Sequence, residues 1–364
     1  MRRIFPITIV TVLALVGCAS PEPAPTTPPA AVETPVASAT PTTEPVIAAP
    51  GSRIPLECDA LVVDDLAKRV VGKAAKAITT DVTTTHSVYT AASDQVGVLT
   101  CNWEGAKRSL YLSAIVDGKK MFDRVMGFAD KNAVDNTVGD ASRISCYIYE
   151  KNYAQCDLSV LTGEYWMNGL YSISGKNLKK SALVADLEEL LSDATVALAA
   201  AGEPLPKWTA EVESTIAYGE CDALDPNGAV AAAYGEDAKT FVPREAGSGD
   251  QSALSTLAWQ RAQLLGCEWS ASGESYSYRS FYASYVPGSG WAWKYRDSRE
   301  GKSIAVAGAD EAFGACSEGS CFAQVLYKDS WLVFNYNSSN PTKIAHLIKG
   351  IEALLPELPL RSTT

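Results

Sequence analysis

Histidine is almost absent: His86 and His346 are the only two in 364 residues. That leaves little for imidazole acid–base chemistry or a His-rich metal site, and no Cys-x-x-Cys pair exists to hold zinc. Bases are in deficit too, with 31 Lys and Arg against 42 Asp and Glu and a formal charge of −11. So acidic a surface repels phosphate backbones and anionic headgroups, which argues against nucleic acid and against polybasic membrane docking. A serine acyl enzyme needs a nucleophile elbow or a Ser-x-x-Lys, and neither occurs; Gly247-Ser248-Gly249 and Gly288-Ser289-Gly290 lack the framing. Adjacent acids such as Asp64-Asp65 and Glu188-Glu189 fall on helices and point in different directions, so they read as solvated faces. His86, in a run of threonines, reads as a solvated loop residue. The expectation is a protein that is not an enzyme and carries no cofactor or metal.

The first residues supply an address. Arg2 and Arg3 precede an apolar stretch, Ile4 to Val16, that ends in Leu15-Val16-Gly17-Cys18. Small residues before a cysteine suit lipoprotein processing, after which the Cys18 thiol carries a diacylglycerol with palmitate-type chains. The alternatives are a signal peptide with a chance cysteine or an uncleaved anchor, but the stretch is short for a span and contains Pro6. Residues 1–17 are therefore expected to be a signal peptide and 18–53 a lipidated cysteine with a spacer. From Ala19 to Pro50 there are nine prolines and six threonines, with no Lys, Arg, aromatic or Gly. Such a segment cannot bury enough apolar surface to offset its ordering entropy. At roughly 3.1 Å per residue it reaches on the order of 100 Å when extended. The expected location is the extracytoplasmic face of the cell membrane, with the lipid bilayer as one partner.

A duplication organises the rest. Glu57-Cys58-Asp59-Ala60-Leu61 recurs as Glu220-Cys221-Asp222-Ala223-Leu224, and Cys101-Asn102-Trp103 matches Cys267-Glu268-Trp269. Asp140-Ala141 before Cys146 is matched with Glu311-Ala312 before Cys316. Cys156 stands ten residues before Trp166 and fifteen before Tyr171, as Cys321 does before Trp331 and Tyr336. With Leu187-Glu188-Glu189-Leu190-Leu191 matching Ile351-Glu352-Ala353-Leu354-Leu355, five such matches in one order predict two tandem α+β domains at 54–200 and 216–360, joined by a 201–215 linker and followed by a 361–364 tail. In each, helices are expected on a mostly antiparallel sheet: Asp59–Val71 or Asp225–Tyr234, Lys119–Lys131, and a last helix at Leu178–Leu198 or Thr342–Leu355.

Beyond Cys18, eight cysteines remain, four per copy, which suits an oxidising compartment. Cys316-Ser317-Glu318-Gly319-Ser320-Cys321 is a hairpin that sets its cysteines opposite each other, and Cys146 and Cys156 fit a longer hairpin at the same place. The remaining pairs are Cys58–Cys101 and Cys221–Cys267.

The lipobox, the Pro/Thr spacer, a Cys opening a helix, a C-x-W strand, the turn Gly139-Asp140-Ala141 and a last Ala/Leu helix together resemble actinobacterial cysteine-containing lipoproteins with a domain of unknown function. The resemblance implies an envelope-anchored α+β domain, similar in layout to extracellular sensor domains. The tandem copy and the third and fourth cysteines depart from that pattern.

The copies differ in aromatics. The second has Tyr276, Tyr278, Phe281, Tyr282 and Tyr285, then Trp291, Trp293 and Tyr295, where the first reads Ser109-Leu110-Tyr111-Leu112-Ser113-Ala114. If Tyr276, Tyr278, Tyr282, Trp291 and Trp293 line exposed strand faces, they suit a sugar or peptide ligand; otherwise they are core. The expected function is a non-enzymatic envelope lipoprotein binding a wall polymer, small molecule or envelope protein, through the second domain or the groove between domains. A scaffolding role is the alternative, and an unrecognised hydrolase comes after it.

Overall fold

A computed structural model describes residues 49–361 apart from 129, 131, 137, 151, 211–213, 247–251, 273–277, 298–300 and 340–341. The signal-like segment, Cys18, nearly all of the spacer and Tyr276 lie outside the described residues. The first repeat runs α1 (Cys58–Leu61), α2 (Asp64–Val70), β1 (Ala77–Thr79), α3 (Val82–Thr85), α4 (Val88–Gln95), β2 (Leu99–Glu104) and β3 (Arg108–Val116). It continues through α5 (Lys119–Met126), β4 (Ala133–Asn136), β5 (Ala141–Tyr149), β6 (Tyr153–Thr162), β7 (Tyr165–Ser174) and α6 (Lys180–Ala200). The second has α7 (Ala229–Tyr234), β8 (Pro243–Glu245), α8 (Ala253–Arg261), β9 (Leu265–Ser272), β10 (Tyr278–Val286), β11 (Lys302–Ser303), β12 (Glu311–Ser317), β13 (Ser320–Tyr327), β14 (Ser330–Ser338) and α9 (Ile344–Leu354).

Each repeat forms one seven-stranded antiparallel sheet. The first is ordered β1-β2-β3-β7-β6-β5-β4 and the second traces the same path as β8-β9-β10-β14-β13-β12-β11. The fold is α+β in two similar domains, so the duplication in sequence is a duplication of topology. One face of each sheet buries the alternating apolar residues. Trp103, Leu110, Leu112 and Ala114 lie under Leu187, Leu190 and Leu191 of α6, and Trp269, Phe281 and Phe334 under Leu347, Ile351 and Leu354 of α9. Both C-x-W tryptophans are sealed there, Trp103 at 1% and Trp269 at 0% exposure.

All four expected disulfides are present, Cys58–Cys101, Cys146–Cys156, Cys221–Cys267 and Cys316–Cys321, with Cα separations of 5.5, 4.1, 5.6 and 4.0 Å. They are compatible with an extracytoplasmic location. Among the described residues no helix is long and apolar enough to cross a membrane.

Local details depart from the sequence reading. The helix expected at Asp59–Val71 breaks at Val62, which is extended, and the next N–H, of Val63, donates to Asp193 Oδ2 on α6 (3.1 Å). The one expected at Asp225–Tyr234 begins only after Gly228, whose φ of +67° places it in the left-handed region. The turn before the third cysteine aligns Asp140 with Asp310 and not with Glu311. Asp140 Oδ2 accepts from Gly163 N–H (2.8 Å), as Asp310 Oδ2 accepts from Lys328 N–H (2.7 Å). A volume exchange keeps both cores filled: Leu112 pairs with Gly169 across β3 and β7, where the second repeat pairs Ala283 with Phe334. A Cβ on Gly169 would stand 2.4 Å from Leu112 Cδ2 and 2.8 Å from the Tyr111 carbonyl oxygen.

The other sheet face is covered by helices absent from the sequence reading. Ser87 Oγ caps α4 by accepting from Tyr89 N–H (3.2 Å), and Ser252 Oγ caps α8 by accepting from Ser255 N–H (3.1 Å). These equivalent helices are exchanged between repeats. Val88, Ala91 and Ala92 of α4 bury against Val286, Trp293 and Trp331 of the second repeat. Leu254 and Ala258 of α8 bury against Ile115, Leu161 and Trp166 of the first. Polar contacts repeat the exchange: Gln95 Nε2 donates to Pro287 O (3.3 Å), and Arg261 donates to Val116 O (2.6 Å) and Asp117 O (2.7 Å). Both repeats fall within one compact unit.

Candidate functional site

The exchange is not symmetric in how well it fills space. Where α8 begins over the first sheet, a cleft of about 510 Å³ opens. Strand alternation decides its floor: Tyr111 of β3, Asn168 and Leu170 of β7, Gln155, Asp157 and Ser159 of β6, and Arg143 and Ser145 of β5 face it. Val125, Phe128, the α8 cap Ser252 and the α8 residues Ala253 and Ser255 form the walls.

Register shows why the second repeat has no matching floor. Tyr111 opposes Asn102 as Tyr282 opposes Glu268, so these tyrosines are equivalent. Counting from the cysteines, Arg143, Asp157 and Asn168 become Phe313, Phe322 and Val333. Trp293 packs over Phe313 at 6.1 Å and edge-on to Trp331 at 6.2 Å. The polar copy is open and the aromatic copy is filled.

Three of the five aromatic side chains expected on strand faces, Tyr282, Trp291 and Trp293, are placed by the structure. Trp293 is 6% exposed, donates from Nε1 to Glu311 Oε2 (3.0 Å) and carries the Arg296 guanidinium on its face at 4.3 Å. Tyr282 is half-buried, its hydroxyl 2.6 Å from that of Tyr89 on α4, and burial pushes its pKa up. Trp291 is half-buried beside Trp208, with ring centroids 6.3 Å apart. Ser289–Tyr295 is a 3-10 turn and not a strand, so Trp291 and Trp293 share no strand face. Tyr278 begins β10. Trp293 is core, and Tyr282 and Trp291 are half-buried, because the first repeat's helix α4 packs on their sheet; Tyr276 and the side chain of Tyr278 lie outside the described residues. His86 is not a free loop residue either, since its Nδ1 lies 2.5 Å from Tyr295 O across the repeats. Ser289 is fully buried, donating to Val286 O (2.6 Å) and accepting from Trp331 N–H (2.8 Å).

Electrostatics separate the two carboxylates at the cleft. Asp130 is held below the usual carboxylate range, first by the Ser145 hydroxyl and also by Asn132 N–H and Tyr147. Asn132 N–H donates to its Oδ1 (2.8 Å), while Ser145 and Tyr147 (2.9 Å) donate to its Oδ2. Burial of its carboxyl and then the Asp130 charge push the Asp157 pKa up. Among the described residues nothing hydrogen-bonds the Asp157 carboxylate, the Gln155 amide or the Tyr111 hydroxyl. Asn168 donates to Leu158 O (2.9 Å), leaving its amide oxygen for a ligand. Arg143 is committed to Asp135, at 2.5 and 3.0 Å. Among the described residues no group of three His, Cys, Asp or Glu is placed to hold a metal.

None of these cleft residues was singled out from sequence. The available signal was the small and polar character of Ser109–Ala114 set against the aromatic strand of the other copy.

No protein-family model and no curated protein matches this chain. Among solved structures it is similar to the di-domain ARO/CYC StfQ from the steffimycin biosynthetic pathway, at 8% identity over 80% of this chain and 84% of that one, with a TM-score of 0.15. The di-domain ARO/CYC BexL from the BE-7585A biosynthetic pathway gives 8% identity over 77% and 90%, with a TM-score of 0.15. A conserved hot-dog-fold protein of unknown function from Alicyclobacillus acidocaldarius gives 8% over 70% and 99%, with a TM-score of 0.14. Likenesses this distant carry no argument about fold or activity.

Proposed function

We propose that this chain is a non-enzymatic lipoprotein of the cell envelope, tethered through Cys18 and its spacer, that binds an extracytoplasmic ligand in the cleft between the first sheet and α8. The observation behind this is the cleft itself: one copy of a duplicated interface keeps free hydrogen-bonding groups where the other is packed with rings. Binding is favoured over catalysis because both Asp130 oxygens are occupied, one by Asn132 of its own loop and the other by Ser145 and Tyr147 of β5. One free carboxylate, Asp157, is half of the pair that glycoside cleavage uses. The tether rests on the sequence of the signal-like segment and on disulfides suited to the outside of the cell.

Retention of envelope components by the mature protein tests this reading. Ser255→Trp puts a large ring over the cleft from a partly exposed helix position and should abolish that retention with the melting temperature within a few degrees of wild type. Retention unchanged by Ser255→Trp would overturn the cleft reading.

A further inference from the structure

The first repeat carries a device that its twin lacks. Its β5–β6 hairpin spans ten positions between cysteines, against five in the second repeat, so it projects further. Odd-numbered residues of both strands face the cleft side, because Arg143, Ser145, Gln155, Asp157 and Ser159 do. Tyr147, Tyr149 and Tyr153 therefore continue the cleft floor outward. Tyr149 and Tyr153 are directly opposed across the hairpin, with centroids 5.7 Å apart, and are 50% and 36% exposed. Tyr153 also donates to Ser172 Oγ (3.4 Å), which steadies its ring. From Ser159 to Tyr153 the floor extends about 20 Å at the usual strand rise. The deep end is walled by α8 and the far end is an open ring platform.

We infer that this groove binds a linear saccharide chain, neutral or amine-bearing, whose rings stack on Tyr149 and Tyr153 while its hydroxyl or ammonium groups reach Gln155, Asp157 and Asn168. The inference rests on the cleft reading above and names its ligand class. A sugar ring presents a C–H face and a rim of hydroxyls, which matches aromatic faces beside free side-chain acceptors. The floor is a sheet face, where backbone groups are already paired, so a peptide cannot add to it as a strand. Acidic polymers are disfavoured by the Asp157 carboxylate and by the net charge of −11.

Titration calorimetry of the mature chain in detergent tests this with three tetramers: N-acetylglucosamine as the neutral probe, glucosamine as the amine-bearing probe and galacturonate as the acidic one. The first two should bind and be recovered uncleaved, and galacturonate should not bind at the same concentration. Tyr149→Thr with Tyr153→Thr keeps strand-favouring side chains, and should weaken both binders at least tenfold with an unchanged melting temperature. Asp157→Asn should weaken the glucosamine tetramer more than the N-acetylated one. Galacturonate binding as well as the others, or wild-type affinity in the tyrosine variant, overturns the inference. If no tetramer binds while Ser255→Trp still abolishes retention of envelope components, the saccharide assignment falls and the cleft stands. If the tetramers bind Ser255→Trp as they bind wild type, the cleft reading falls with it.

Discussion

Asp94 is a buried carboxylate that no cation pairs with among the described residues. It is 7% exposed and accepts Val82 N–H at 2.9 Å. Burial pushes its pKa up to about 7, with the Asp81 charge adding to the rise and the Val82 hydrogen bond opposing it. In the unfolded chain an aspartate titrates near 3.9, so below about pH 4 the group is protonated in both states and costs nothing. As pH rises from about 4 to 7 the unfolded chain ionises first, and the fold loses stability, by about 4 kcal/mol at most. Above about pH 7 the loss is complete. Asp94→Asn retains an acceptor for Val82 and cannot ionise. Melting curves should show it matching wild type near pH 4 and exceeding it at pH 8; parallel curves would refute the assignment. Gly169 makes the complementary point in the apolar core. It is required because Leu112 fills its space, and the other copy solves the same volume problem with Ala283 and Phe334.

At the scale of elements, sheets and disulfides were legible and the exchanged helices were not. Strand period and cysteine spacing are local patterns, and β3, β5, β6, β7 and all four bridges follow from them. The helices α4 and α8 are short, and Val88, Ala91 and Ala92 make a weak apolar stripe that gains meaning only against a sheet more than 190 residues away, as Gln95 with Pro287 shows. The cleft was illegible for the same reason, since it exists only where α8 meets the first sheet. The aromatic run was visible but its context was not. Burial makes a further prediction here: Trp293→Ala removes a ring packed on Trp331, Phe313 and Arg296, and urea unfolding should show a loss of about 3–5 kcal/mol. A loss below about 0.5 kcal/mol, usual for a surface position, would mean the face is free after all.

The molecule as a whole is a duplicated domain whose halves complete each other. Each sheet has one face covered by its own last helix, while the other is covered partly by its own α5 or 289–295 turn and completed by a helix lent from its twin, so neither half alone fully buries both faces. Separated, the first repeat would expose Ile115, Leu161 and Trp166, and the second Val286, Trp293 and Trp331. Exposed apolar surface of that kind drives association or aggregation. Expressed singly, each half should therefore be unstable or self-associated. Mixed in equal amounts, the halves should recover a one-to-one complex that melts like the intact chain at matched high concentration. The heterologous pair should win over either self-pair because the two surfaces are not interchangeable: α4 brings Tyr89 to meet Tyr282, while α8 brings Arg261 to the carbonyls at the end of β3. Gel filtration with mass measurement decides it. Two separately stable, non-associating monomers would show that the exchanged helices are an accessory contact, and the cleft they frame would then lose its rigid wall.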